Sequence, residues 1–343
     1  MINLEFHAPL RFEPLFRPYI WGGRRLETVL HKQIPSEGIW AESWEIVDHG
    51  TDQSIVDRGP YAGKSLRALI ELAPRAVIGE NASKNDQLPL LLKYLDCQRV
   101  LSVQVHPDDN YAAKMSPPDL GKTEAWYVVE ACDDSLIYAG LKEGVGRVEL
   151  AKAIANGDIE SCLHSFHPKL GDCVFIPAGT VHALGAGLIV AEIQQASDTT
   201  FRLYDWNRLG ADNKPRPLHV DEALEVIDFN IGPIFPVKPS PVTTSPVTTS
   251  GFTNLVTCDR FVLDEVRSIL KGFSLGGQFA IATVARGNAT IKKSGGADLN
   301  NAYPEASLSV GQSVLIPASI KSIDLTVEPN AIVLLARPPQ ICE

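Results

Sequence analysis

Little sulfur chemistry organises this chain. Six cysteines (Cys97, Cys132, Cys162, Cys173, Cys258 and Cys342) are scattered through 343 residues with no C-x-x-C pair. That spacing argues against a disulfide framework or a structural zinc site, and the thiols are expected to be reduced and buried. Long apolar runs are missing too: no 18-residue stretch reads as a membrane span, and no signal-like or transit-like segment opens the sequence. These absences predict a soluble, cytoplasmic protein. A basic excess is also lacking, with 31 Lys plus Arg against 41 Asp plus Glu and a formal charge of -10. Nucleic acid and membrane surfaces are therefore not expected partners. An anionic substrate would need a local cationic pocket set against the overall field.

What is present suits a globular protein. At 45% hydrophobic and 21% charged, the chain can bury a sizeable core, and its length allows two domains. Short β-like pieces separated by Gly and Pro dominate, including Tyr19–Gly23, Glu42–Val47, Val100–Val105 and Cys173–Ile176. Pro89–Leu95 reads as a helix end or a buried strand. Helical spacing occurs at Lys64–Ile78, at Arg147–Ile159 with Leu163, and at Val220–Ile227. These helices read as insertions on a β framework rather than crossovers of a parallel sheet. Trp21 and Trp44 are expected in the core. Glu42 and Glu45, three apart on a strand, face opposite sides and read as structural.

Composition shifts between Gly232 and Gly251, where Ser240-Pro-Val-Thr-Thr is repeated at Ser245. That segment reads as a linker and a domain boundary. Strand signals then recur to the C-terminus at Phe261–Val266, Phe279–Ala285, Ala289–Lys292, Ser313–Ile316 and Ile332–Ala336.

The stretch that carries chemistry is Gly171–His182, GDCVFIPAGTVH. A turn at Gly171-Asp172 leads into a strand, and Pro177 and Gly179 reverse the chain to deliver His182. Upstream, Gln104 and His106 alternate onto one face of a strand, and so do Lys122 and Glu124. Two imidazoles and a carboxylate, with an amide oxygen nearby, form a hard-to-borderline metal site with a position left open. Beyond His182, Glu192 and Gln194 share a face, as do Arg202, Tyr204 and Trp206. An Arg beside such a site offers a rigid fork for an oxyanion or phosphate. By spacing alone, a surface pairing of Arg202 with Asp198 or Asp205 is the plainer alternative.

The pattern of glycine, five residues, Pro-x-Gly, two residues and His resembles the second motif of the cupins. Gly311–Ser319 echoes it without the His, because Ser322 falls at that position. A second, metal-free barrel is the implied reading. Together PLLLKYLDCQRVLSVQVHPDD, GKTEAWYVVE, GDCVFIPAGTVHALGAG and EIQQASDTTFRLYDWNR resemble the type I mannose-6-phosphate isomerases of the short bacterial form, strongly from about Phe12 to Trp206. The implied fold is mainly β, with two cupin (jelly-roll) barrels and helical insertions in the first. Residues 1–232 would form the catalytic domain, 233–250 a linker and 251–343 the second barrel.

The same resemblance implies one zinc ion per chain, held by Gln104, His106, Glu124 and His182. Gln104 is dispensable where the two His and the Glu suffice. It implies catalytic roles for Arg202 and Lys122, a proton-transfer candidate in Glu192, and substrate contacts from Ser102, Lys122 and Arg202, with Ser102 and Lys122 near the sugar phosphate. The expected reaction interconverts mannose 6-phosphate and fructose 6-phosphate through an enediol. Three alternatives stay open: another cupin sugar isomerase, an iron oxygenase using the same two His and carboxylate, and a non-catalytic sugar-binding cupin. Oligomeric state is left open.

Overall fold

Alternating side chains and frequent glycine turns produce antiparallel sheets, and among the described residues every strand pair is antiparallel. The computed structural model describes residues 6–210, 213–241, 251–295 and 305–339. Cys342 and residues 242–250 of the Pro/Thr/Ser repeat lie outside the described residues.

Two large sheets form the body of the first half, beside the short pairs Phe12–Glu13 with Ile55–Val56 and Asp48–His49 with Asp52–Gln53. One runs edge to edge through Cys173–Ile176, Glu124–Ala131, Leu188–Gln195, Leu90–Cys97, Glu42–Ile46 and Leu15–Arg17. The other orders Leu163–Phe166, Ile137–Leu141, His182–Leu184, Val103–Val105 and Phe201–Tyr204. Between them lies an apolar layer that includes Leu95, Trp126, Val174 and Val190 from the first sheet and Ile137 and Leu184 from the second. Helices Arg147–Asn156 and Val220–Val226 cover the outer face of the five-stranded sheet, burying Leu150, Ala153, Ala223 and Leu224. They are additions on a β framework, as expected.

The opposite face of the six-stranded sheet carries Leu92, Tyr94, Ala191 and Ile193. It packs on Leu263, Ile281, Leu334 and Ala336 of the second half. Tyr94 Oη meets Thr283 Oγ1 at 2.6 Å, and Tyr127 Oη donates to Glu265 at 2.6 Å, so the polar tips of these buried rings are satisfied across the junction. Lys32 also crosses it, pairing with Glu45 at 2.6 Å and donating to the Gly311 carbonyl. Among the described residues the sheets remain open at their edges; neither pair closes into a barrel.

The second half holds a six-stranded and a four-stranded sheet. Gly311 (φ 80) opens strand Ser313–Ile316 as Gly171 (φ 88) opens Cys173–Ile176, both in the left-handed region that favours glycine. Strand Ser322–Val327 then begins on Ser322, where His182 begins His182–Leu184 in the first half. Residues 233–241 are not free of the first half, since Ile234 N bonds Ala139 O and Val237 N bonds Cys173 O.

Several expectations need correction. The predicted helix over Lys64–Ile78 is two helices, Leu66–Leu72 and Pro74–Val77. Pro74 disfavours the helical region at its predecessor, and Ala73 sits at φ -148, ψ 65. Leu163 opens a strand rather than extending a helix, because the chain leaves helix Arg147–Asn156 through left-handed Gly157. Tyr19–Gly23 is a turn closed by Gly22 N to Tyr19 O. Trp206 lies beyond strand Phe201–Tyr204 at φ 56, so it does not continue the Arg202 face. The described cysteines are unpaired, with Cys97, Cys162 and Cys173 buried and Cys258 half-buried, but Cys132 is exposed.

Candidate active site

Strand register assembles the site at one end of the first sandwich. Gln104 pairs with His182 on one side and with Arg202 on the other, so three neighbouring strands present these residues in a row. On the facing sheet Glu192 stands between Lys93 and Trp126, while Gln194 is the partner of Glu124. Alternation along Leu188–Gln195 aims Glu192 into a cavity of about 270 Å³ bounded by both sheets. Gly179 fixes the approach of the His182 strand. Its φ is 85, its N–H bonds His106 O at 2.9 Å, and a Cβ there would stand 3.1 Å from Asp228.

Each imidazole is oriented from behind. His106 Nδ1 faces the Thr199 carbonyl and His182 Nδ1 the Thr180 carbonyl, both at 2.9 Å. With Nδ1–H donating to those oxygens, each Nε2 lone pair points inward, the arrangement that outer carbonyls impose on metal-binding histidines. Glu124 Oε1 stands 3.4 Å from His182 Nε2, and Glu124 Oε2 stands 3.6 Å from His106 Nε2. Two donors on a tetrahedral zinc, each bound at roughly 2.1 Å, are about 3.4 Å apart, so the spacing fits such an ion. Glu124 Oε1 is buried without a hydrogen-bond partner, so its free acceptor fits a cation held between it and the two imidazoles.

Burial, with Lys122 nearby, keeps both rings neutral: His182 is lowered to about 3 and His106 falls well below its ordinary value. Lys122 Nζ is 2.6 Å from Glu124 Oε2 and 2.9 Å from His106 Nε2, so an ammonium contacts the donor set. Gln104 Nε2 is 3.3 Å from His182 Nε2, which puts its amide beside the group.

A second cluster adjoins the first. Glu192 is buried, and its carboxyl pKa is raised by burial and by Glu124, against the pull of Lys122 and Lys93. Its Oε1 has no hydrogen-bond partner and stands 3.7 Å from Lys93 Nζ and 3.8 Å from Lys122 Nζ. Lys93 also faces Glu42 at 3.7 Å and lies 4.7 Å from the centre of the Trp44 ring. Burial alone would favour a neutral amine there, but Glu42, Glu192 and Asp198 outweigh it and raise the Lys93 pKa. On the far side Arg202 Nε reaches Ser102 Oγ at 3.2 Å and Nη1 reaches the Pro217 carbonyl at 2.9 Å. The plainer pairing of Arg202 does not form, since Asp205 bonds Arg208 and Arg216 instead.

The phosphomannose isomerase type I catalytic-domain family model matches residues 10–127. Mannose-6-phosphate isomerase ManA of Bacillus subtilis is 41% identical over 220 residues, 64% of this chain and 68% of that protein. The chain belongs to the type I phosphomannose isomerases. A mannose-6-phosphate isomerase of Streptococcus mutans is 40% identical over 64% of this chain and 67% of its own. A solved mannose 6-phosphate isomerase from Bacillus subtilis superposes with a TM-score of 0.82 at 30% identity, covering 96% of this chain and 99% of that one. Another solved mannose 6-phosphate isomerase, described as bound with zinc and yttrium, superposes at 0.70 with 16% identity over 97% of this chain and 100% of its own, a likeness of fold alone.

In this isomerase-family chain the residues singled out from sequence converge. His106, Glu124 and His182 offer donor atoms all within 4.8 Å of one another. Ser102, Gln104, Lys122, Glu192 and Arg202 line the adjoining cavity. Gln194 does not join them; its amide is spent on the carbonyls of Gln195 and Ser197. Three contributors went unforeseen. Lys93 is a cation in the middle of the largely apolar strand Leu90–Cys97, a signal that was there to be read. Glu42 does face away from Glu45, but into the cavity, and Arg216 carried no sequence signal at all. Trp21 is core and cavity wall at once.

Proposed function

We propose that this enzyme interconverts mannose 6-phosphate and fructose 6-phosphate through an enediol, with one zinc ion held by His106, Glu124 and His182 and with Gln104 as an accessory ligand. The observation that carries the reading is a buried donor set of two neutral, pre-oriented imidazoles and the Glu124 carboxylate, beside the buried Glu192 carboxylate with a free oxygen. Two imidazoles and a carboxylate at this spacing suit zinc. When bound, such an ion supplies Lewis-acid polarisation of a sugar oxygen.

The chain's own residues supply the rest. Glu192 takes the proton from C2 and returns it to C1, while the O2 hydroxyl proton ends on O1, so aldose and ketose differ only in where two protons sit. Its raised pKa makes it a stronger base than an exposed glutamate. Arg202 stabilises the negative charge that develops on the enediol oxygen. Lys122, in contact with Glu124, is assigned to the reacting end of the sugar, and Ser102 holds Arg202 in place. The walls bury the reacting groups and limit water access, which favours proton return over exchange.

The fold reading extends this. We propose that the two sheet pairs are cupin jelly rolls spanning 1–232 and 251–343, joined by 233–250, and that the second has lost its metal. The Gly311–Ser322 echo supports it. Unpaired thiols support a reducing, cytoplasmic location; isolation from a secreted fraction would oppose it. The mechanism is tested with mannose 6-phosphate deuterated at C2. Partial loss of label to solvent during turnover is expected. Complete transfer to C1 under all conditions would indicate a hydride shift and overturn the enediol.

A further inference from the structure

Arg216 lines the same cavity as Glu192 and Arg202. Its Nε and Nη2 donate to the two carboxylate oxygens of Asp205 at 2.7 and 2.6 Å, a two-pronged contact that fixes the plane of the guanidinium. Asp205 is itself held, accepting from Arg208 Nη2 at 2.5 Å, while Arg208 Nη1 donates to the Val100 carbonyl. The segment carrying Arg216 runs beside strand Phe201–Tyr204: His219 N bonds Arg202 O at 2.8 Å, and Arg202 Nη1 bonds Pro217 O at 2.9 Å. Arg202 and Arg216 are therefore set side by side.

The charge here is unbalanced. Arg208 and Arg216 share one carboxylate, Asp205, and Arg202 lies beside them on Ser102 and the Pro217 carbonyl, so three guanidiniums stand by one carboxylate and leave two formal positive charges at this rim of a chain whose net charge is -10. The proximity is felt, since burial and then Arg216 lower the pKa of Arg202. Like charges are held together at a cost that an anion would offset. The opposite wall, with Glu42, Glu192 and Asp198 around Lys93, would repel a dianion.

A row of contacts sets the order between the two ends. His182 meets Gln104 at 3.3 Å, Gln104 meets Ser102 at 3.4 Å, and Ser102 meets Arg202 at 3.2 Å. Arg202 thus stands between the His/Glu/His group and Arg216. A sugar whose carbonyl end lies at that group presents its far end to Arg216.

We propose that Arg216, held by Asp205, takes the phosphate of the substrate and so selects phosphorylated over free hexoses. Asp205 is then a positioning residue. The assignment rests on the isomerase reading above.

The test uses the zinc-loaded full chain with mannose 6-phosphate as substrate and inorganic phosphate as a competing probe, the latter also followed by calorimetry. Loss of one charge-assisted contact predicts a rise of about 10- to 100-fold in KM for Arg216→Gln, with the loss falling on KM far more than on kcat. The inhibition constant for inorganic phosphate should weaken by a similar factor. Arg216→Lys keeps the charge without the fork and should recover part of the effect; it replaces Arg216→Gln if that variant does not fold. Asp205→Asn should raise KM by a smaller factor. Unchanged KM and phosphate affinity in the Arg216 variants, or a kcat loss at constant KM, would overturn the proposal. Wild-type protein that binds phosphate through Arg216 but does not turn over mannose 6-phosphate would instead defeat the isomerase reading and leave the anion site standing.

Discussion

The ammonium of Lys93 stands 3.7 Å from Glu192 Oε1, with both side chains at most 5% exposed. Glu192 is the group proposed to move the proton, and Lys93, with Lys122, is a buried cation that pulls its carboxyl pKa down against burial. Glu42, held by Trp44 Nε1 at 2.6 Å, fixes the other side of Lys93. Proton transfer and local stability therefore meet in one cluster.

Lys93→Met removes the cation and leaves Glu42 and Glu192 buried without it. Breaking a buried pair from one side costs about 3–5 kcal/mol. A clear drop in Tm is expected by calorimetry, and the acid limb of kcat/KM should move to higher pH as the Glu192 carboxyl pKa rises further. An unchanged Tm would show that the cluster does not carry charge as described.

Glu192→Gln keeps shape and burial but removes the proposed base. Loss of general acid–base catalysis lowers turnover by about 10²–10⁴. The variant should still bind substrate and metal while no longer exchanging the C2 hydrogen with solvent, followed by NMR in deuterated water. Wild-type exchange in the variant would move the base elsewhere.

The residues at the reacting end were legible because each lies in, or within two residues of, a strand marked by its apolar pattern. Period-two alternation put Gln104 with His106 and Lys122 with Glu124, and the Pro177–Gly179 turn announced His182. Lys93 and Arg216 were not foreseen because their partners are non-local. Lys93 finds Glu42 and Glu192 only through strand pairing, and Arg216 reaches the cavity only because its segment docks beside Arg202. Alternation separated Glu42 from Glu45 but could not say which side faced the cavity. Likewise the apolar spacing of Lys64–Ile78 was sound, and Pro74 decided where the helix broke.

Behind His106 lies a pH-dependent brace. Asp119 accepts from His49 at 3.0 Å and from the hydroxyls of Ser197 and Thr199, and the Thr199 carbonyl orients His106. The hydrogen bond to Asp119 raises the His49 pKa above 6.5 against the effect of burial, with Asp198 and Asp52 adding to the rise. Burial works against Asp119, yet the bonds from His49, Thr199 and Ser197 hold it down at about 2. The His49 contribution is complete below 6.5 and is lost as pH rises through its raised value. That of Asp119 is complete above 3.8 and is lost as pH falls through about 2. The Tm difference between wild type and His49→Gln should therefore be larger at about pH 6 than at pH 8; an equal difference at both would contradict the pairing.

The most direct test of the account is to strip the protein with a chelator and titrate zinc back while following fructose 6-phosphate formed from mannose 6-phosphate. Activity should vanish on chelation and return in proportion to zinc, saturating at one ion per chain. Glu124→Gln should neither hold the ion nor recover. Full turnover by protein shown by metal analysis to contain no divalent ion would contradict the proposed centre of His106, Glu124 and His182.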